Sequence, residues 1–195
     1  MGYLVTMPTF PGVPRIAFDG LVLTRPTAAA AGRMAAYMER NFDRFAPSMP
    51  APGPGFPSEA YHRGLIDRWQ TEWSQGTAAR LVLFEGDEAG RVVGNVSFTG
   101  IVRGPVQACY LGYMLDRDLE GRGVMYEALR RSIAWIFGEV GLHRINANHL
   151  PENERSGRLL RRLGFQVEGR ARAYLKLEGV WKDHVLTALV NPADG

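Results

Sequence analysis

Between Tyr110 and Leu129 the chain reads YLGYMLDRDLEGRGVMYEAL, and this stretch restricts its folding most. An apolar strand pattern runs through Ala108 to Leu115 and enters a turn carrying Gly121 and Gly123. A long amphipathic helix follows, from Gly123 to about Val140, with Ala128, Ile133, Ile136 and Phe137 on its apolar side. A strand that enters a helix through so short a turn points backbone N–H groups at the positive end of the helix dipole. Glycines there let an anion approach the main chain closely, so the turn is suited to a pyrophosphate. Two glycines alone describe an ordinary helix start equally well. No Gly-Lys-Ser/Thr follows, which excludes a Walker loop, and the spacing is not a full dinucleotide fingerprint.

The elements around this unit define the fold class. Residues 1–19, with Pro8, Pro11, Gly12 and Pro14, read as an N-terminal lead-in, and residues 20–195 as a single domain. A strand begins at Leu21, and Thr27 is the expected N-cap of a helix reaching about Asn41. Phe42 to Pro57 holds five prolines and two glycines, so a loop is expected. From Ser58 the spacing of Tyr61, Leu65, Ile66, Trp69 and Trp73 is helical again. A hairpin follows, Ala79 to Glu85 and Arg91 to Thr99, and then the strand and helix described above. The remainder reads as strand Arg144 to His149, helix Glu152 to Leu163, and strands near Phe165 to Leu177 and Trp181 to Val190. This order, β, α, α, β, β, β, α, β, α, β, β, calls for an α/β fold with a mixed sheet covered by helices.

Composition narrows the classes further. A chain of 195 residues with 46% hydrophobic content can bury a substantial core. No apolar run approaches the roughly 20 residues needed to cross a bilayer, and no signal-peptide order opens the chain, so a cytoplasmic location is expected. Cys109 is the sole cysteine; an internal disulfide is excluded, and its apolar neighbours suggest a buried strand thiol. The net charge of +3 suits an anionic small cofactor, but it is too small and too dispersed to indicate direct nucleic-acid binding. No metal set is expected.

The stretch from Tyr110 to Leu129 resembles the central motif of the GNAT acetyltransferase superfamily, Q/R-x-x-G-x-G/A. Here that pattern falls on Glu120, Gly123 and Met125, with Glu120 in place of Gln or Arg and Met125 in place of the last small residue. A second block, His143 to Ser156 followed by Leu159 to Phe165, resembles the GNAT strand and the Asn-x-x-Ser helix that ends in Leu-Gly-Phe. The segments Val102 to Tyr113 and Glu168 to Leu189 resemble the RimJ-like branch in particular. The resemblance spans residues 20 to 191, and the proline-rich loop at 47–57 is not recognisable in it.

What the resemblance implies is a GNAT fold: a central, mostly antiparallel sheet splayed between its fourth and fifth strands and flanked by about four helices. It implies an acetyl-CoA-dependent N-acetyltransferase, with CoA as product. Tyr113, Met114 and Leu115 would run along the pantetheine arm and supply the backbone N–H that polarises the acetyl carbonyl. Gly121, Arg122, Gly123, Val124 and Met125 would hold the pyrophosphate, and Asn153 and Ser156 would meet the pantetheine region. Asn153 alternatively serves only as a helix cap.

The residues for proton transfer differ from those of relatives. RimI-like enzymes carry a glutamate where this chain has Asn148, and many members carry a tyrosine acid where it has Leu160. Ser156 stands where a RimL-like relative places its thiolate acid, and otherwise reads as a helix-surface serine. His149, beside Asn148, is a candidate base acting through water, or a structural histidine; His143 and His184 read as structural. A weak base suffices for an α-amine. Presenting such an amine (pKa about 7.7–8.0) in neutral form at pH 7.5 costs less than about 1 kcal/mol, against about 4 for a lysine. The RimJ-like resemblance, together with a large loop able to receive an extended peptide, makes a protein N-terminus the expected acceptor, as in ribosomal-protein alanine acetylation. A small-molecule amine, a non-catalytic acyl-CoA-binding role and a ribosome-associated role are the alternatives. An open acceptor groove would favour the peptide and a closed polar pocket the small molecule. Either a monomer or a homodimer fits.

Overall fold

The computed structural model describes residues 10–194. Eight strands form one sheet: β1 Arg15–Phe18, β2 Leu21–Thr24, β3 Ala79–Glu85, β4 Val92–Val102, β5 Ala108–Leu115, β6 Arg144–Asn146, β7 Gln166–Leu177 and β8 Val180–Val190. Their spatial order is β1-β2-β3-β4-β5-β6-β8-β7. All neighbouring pairs are antiparallel except β5 and β6, which are parallel. Four α-helices cover the sheet: α1 Ala31–Phe45, α2 Glu59–Ser74, α3 Val124–Gly138 and α4 Glu154–Arg162. This is the mixed, mostly antiparallel α/β architecture expected from the element order.

Alternation along each strand separates two cores. On one face Leu111 and Leu115 of β5 pack with Met125, Ala128, Leu129 and Ile136 of α3 and Leu160 of α4. On the other, Val82, Phe84 and Val92 pack with Met34, Met38 and Phe45 of α1 and Ile66 of α2, and Met114 joins them. The apolar side predicted for α3 is the buried one, with Ala128 and Ile136 fully buried. Cys109 is buried too, which pushes its thiol up to about 12.

Four local expectations change. Arg15–Phe18, read as part of the lead-in, pair with β2 as an edge strand; residues 1–9 of that lead-in lie outside the described residues. Thr27 makes no side-chain capping bond, because a 3-10 turn at Ala28–Ala30 precedes α1 and displaces the helix start. The segment from Phe42 is not all loop: α1 continues to Phe45, where burial of that ring and of Asn41 favours the helix, and Ala46–Ser48 add a 3-10 turn. Ser58, by contrast, does cap α2, accepting from the Tyr61 N–H at 3.2 Å. The strand from Arg144 ends at Asn146 rather than His149, for a reason that creates the cleft.

Candidate active site

β5 and β6 share only three register pairs, ending at Tyr110↔Asn146. Beyond them β6 follows β8: the Ala147 N–H donates to the Thr187 carbonyl at 2.9 Å, and the His149 N–H to the Val185 carbonyl at 3.2 Å. β5 meanwhile stays on β4, so the two strands part. This splay is the one expected between the fourth and fifth strands; the edge strand β1 makes them fifth and sixth in chain order. A cleft of about 480 Å³ fills the gap, lined by Leu111–Leu115, Ala147–Leu150, Asn153 and Ser156, and open toward Arg44, Glu120 and Arg155.

The β5 side of the cleft offers backbone donors. The Asp116 N–H donates to the Val93 carbonyl at 2.7 Å, so in the antiparallel ladder alternate residues, including Met114, turn their polar groups to β4. Tyr113 and Leu115 therefore direct theirs into the splay, and the Leu115 carbonyl accepts from Arg44 at 3.2 Å. At the cleft's end, Gly121 and Gly123 have φ of +74° and +79°, a left-handed backbone that side chains disfavour. Gly123 is the N-cap of α3 and contributes no side chain. The first N–H groups of α3 thus lack intrahelical partners, and an added Cβ at either glycine would touch nothing within 4 Å. Unpaired N–H groups at a helix start are suited to an anion. Glu120 does not disturb this turn: its carboxylate is engaged by Arg44, at 2.7 Å, and by Arg155, which leaves a net positive charge at the cleft mouth.

Across the splay, α4 presents Asn153 and Ser156. Asn153 Oδ1 accepts from the Ser156 N–H at 3.1 Å, capping α4, and its side-chain NH2 remains available on the cleft side. The Ser156 and Tyr113 hydroxyls share a hydrogen bond of 2.7 Å, joining α4 to β5. Burial pushes the Tyr113 phenol up to about 12, although the contact with Ser156 opposes this. Tyr113 is a neutral proton donor at any physiological pH. His149 lies nearby in a constrained setting. Its Nδ1 is 2.8 Å from the Leu150 carbonyl; a carbonyl only accepts, so Nδ1 carries a hydrogen, and in the neutral ring the lone pair is on Nε2. The ring packs on Gly157, where a Cβ would come within 3.0 Å of the imidazole.

On the α1/α2 face Asn148 sits in a polar group that the sequence did not reveal. Its Oδ1 accepts from the Thr187 N–H at 3.4 Å and its Nδ2 donates to the Tyr174 hydroxyl at 3.1 Å. Burial, and then the neighbouring Tyr110, raise the pKa of Tyr174. His184, read as structural, is buried, lines the cleft and packs on Tyr174 with ring centroids 5.4 Å apart. Tyr174 reaches this position through an irregularity in β7: the register with β8 shifts between Ala171 and Leu175, and Ala173 adopts a φ of +47°. A bulge of this kind re-aims a side chain. The only sequence signal for it was Asp183, whose carboxylate accepts from the Ala173 N–H at 2.9 Å.

A mixed sheet splayed beside a glycine turn, with a capped Asn-x-x-Ser helix opposite, defines an N-acetyltransferase of the GNAT class. The chain belongs to this family: the model for the acetyltransferase (GNAT) domain matches residues 21–166. It is 40% identical over 181 residues to the [ribosomal protein uS5]-alanine N-acetyltransferase of Escherichia coli (strain K12), with 91% of each chain covered. A crystal structure of ribosomal-protein-S5-alanine acetyltransferase from Vibrio fischeri superposes with a TM-score of 0.87 at 31% identity, covering 92% of this chain and 97% of the other. Mycobacterium smegmatis RimJ, solved in complex with CoA-disulfide, shares the fold with a TM-score of 0.82 at 23% identity, covering 91% of this chain and 86% of the other.

Proposed function

We propose that this chain transfers the acetyl group of acetyl-CoA to the N-terminal α-amine of a protein, with an alanine-starting ribosomal protein as the first candidate. The observation that carries the acceptor class is the 40% identity to a uS5-alanine N-acetyltransferase across 91% of both chains. The cleft supports the chemistry. The turn Gly121–Met125 holds the pyrophosphate on backbone N–H groups, and Arg44 and Arg155 add positive charge at its mouth. The pantetheine arm lies along Tyr113–Leu115, within reach of the free Asn153 amide.

At the splay, the Tyr113 or Leu115 N–H polarises the thioester carbonyl, a preorganised donor at the point where negative charge develops. The acceptor amine approaches from the α1/α2 face, where Asn148 and Tyr174 offer hydrogen-bonding groups. It loses its proton to solvent through water rather than to a carboxylate, which the modest pKa of an α-amine permits. Ser156 donates to the departing sulfur and draws on the Tyr113 hydroxyl behind it, so that the CoA thiol leaves protonated. His149, whose Nδ1 is engaged by the Leu150 carbonyl, has Nε2 left as an acceptor for a water proton on the α4 side when the ring is neutral.

The test is thiol release from acetyl-CoA across peptides beginning with Ala, Ser or Met, alongside free amino acids and polyamines. Turnover confined to the Ala- or Ser-starting peptides is expected. Turnover only on free amines would replace this reading with a small-molecule acetyltransferase.

A further inference from the structure

A second chamber, of about 250 Å³, lies between α1, α2 and the sheet. It is continuous with the acetyl-transfer cleft, because Met49, Asn95, Ser97 and Met114 line both. Its walls are mostly apolar and rich in methionine, a side chain that adapts to varied shapes. The proline-rich segment supplies Met49 and Phe56 to it, and Phe56 is fixed there by Phe42, 4.9 Å away, and by Tyr61 edge-on at 5.5 Å. Tyr37 is part of the wall; it is buried, and its hydroxyl has no hydrogen-bond partner among the described residues. The one guanidinium in the lining, Arg80, is already held by Glu72 at 2.7 Å and lies over Trp69, and the other basic side chain there, His62, is buried and engaged through Nδ1 by the Pro57 and Ser58 carbonyls at 3.1 Å. The chamber therefore has no free countercharge for an ionised group.

We propose that this chamber receives the side chain of the acceptor's second residue and selects for a neutral, apolar one. The inference rests on the N-terminal acetylation reading. With the α-amine at the splay, the adjoining chamber lies one residue from the reacting nitrogen. The methyl of an N-terminal alanine would leave nearly all of its volume unfilled, whereas a Leu or Met side chain from the next residue occupies far more of it. The proline-rich segment then has a role in the enzyme: it closes the specificity chamber.

The experiment compares kcat/KM for peptides Ala-Xaa with Xaa Gly, Leu, Met or Asp and an identical remainder, in the wild-type enzyme and in Leu65→Trp, which fills the chamber from α2. Burying a Leu or Met side chain predicts a gain of at least about tenfold over Ala-Gly, and Ala-Asp falls below Ala-Gly. Leu65→Trp removes the advantage of Ala-Leu over Ala-Gly, with the KM for acetyl-CoA as the control for an intact fold. Peptides acetylated with a flat dependence on Xaa would overturn the chamber's role and leave the acetylation reading standing. An equal loss for Ala-Leu and Ala-Gly in Leu65→Trp, at unchanged acetyl-CoA KM, would likewise overturn it. Failure of every peptide while free amines react would overturn the acetylation reading itself.

Discussion

Ser156 and Tyr113 come from different elements and meet only through their hydroxyls, 2.7 Å apart. If Ser156 serves the departing sulfur, Ser156→Ala lowers kcat by on the order of 100-fold, at the low end of general acid–base contributions. The KM for acetyl-CoA changes little, because the Asn153 cap uses the residue 156 main chain and not its side chain. Tyr113→Phe lowers kcat in the same direction, and the double variant costs less than the sum of the two, since both remove one shared interaction. Steady-state kinetics on the four forms checks this. Cys109 belongs to the same scale and to no chemistry. Its thiol is buried and raised to about 12, so an alkylating reagent at pH 8 leaves the native protein unmodified and labels it once unfolded, as read by mass. Both serine and cysteine were singled out from the sequence. The pairing of that serine with the Tyr113 hydroxyl was not, because 43 residues separate the two and no local pattern encodes a contact across a cleft.

Between elements, the tie from α1 to the glycine turn runs through Asp116. It is buried at the end of β5, accepts from the Asp118 N–H at 3.2 Å, from Arg40 at 3.1 Å and from Asn41 at 3.3 Å, and precedes the glycine turn by five residues. Burial alone would raise its pKa; the three donors and the Arg40 charge outweigh that and hold the carboxyl below the usual carboxylate range. A lowered folded pKa contributes stability that is present above the unfolded value, about 3.9, and is lost as pH falls through the folded one. Asp116→Asn therefore destabilises by about 1–3 kcal/mol at neutral pH. That gap from wild type persists down to about pH 4 and closes below it, as urea unfolding at a series of pH values measures. In the sequence Asp116 was simply the residue between a strand and a turn. Its partners Arg40 and Asn41 lie on α1, and Asn41 falls near the expected end of that helix, so nothing local distinguished it from a surface polar residue.

At the scale of the molecule, two connected clefts lie on one splayed sheet, with the glycine turn and α4 on one face and Asn148, Tyr174 and the apolar chamber on the other, and the proposed reaction divides its cofactor and acceptor sides between them. The pH dependence follows from what titrates there. With Tyr113 at about 12 and an α-amine as nucleophile, kcat/KM rises through the acceptor's own pKa of about 7.7–8.0 and then stays level to about pH 10. An assay with Ala-starting peptides checks this; a descending limb below pH 10 would require another ionising group. Much of this protein was determined by its sequence alone: the strand and helix order, the glycine turn, the capped Asn153-to-Ser156 helix start and the GNAT family. The elements, the turn and the cap are written in short-range signals, such as side-chain period, glycine in a tight turn and a cap three residues from its target, and the family was legible through the resemblance of its motifs. Only the tertiary structure decided that β6 leaves β5 to follow β8, that a bulge turns Tyr174 onto Asn148, and that the proline-rich segment walls an apolar chamber. These depend on which strands compete for the same backbone hydrogen bonds and which side chains meet across the sheet, and such contacts carry no local spacing by which to read them.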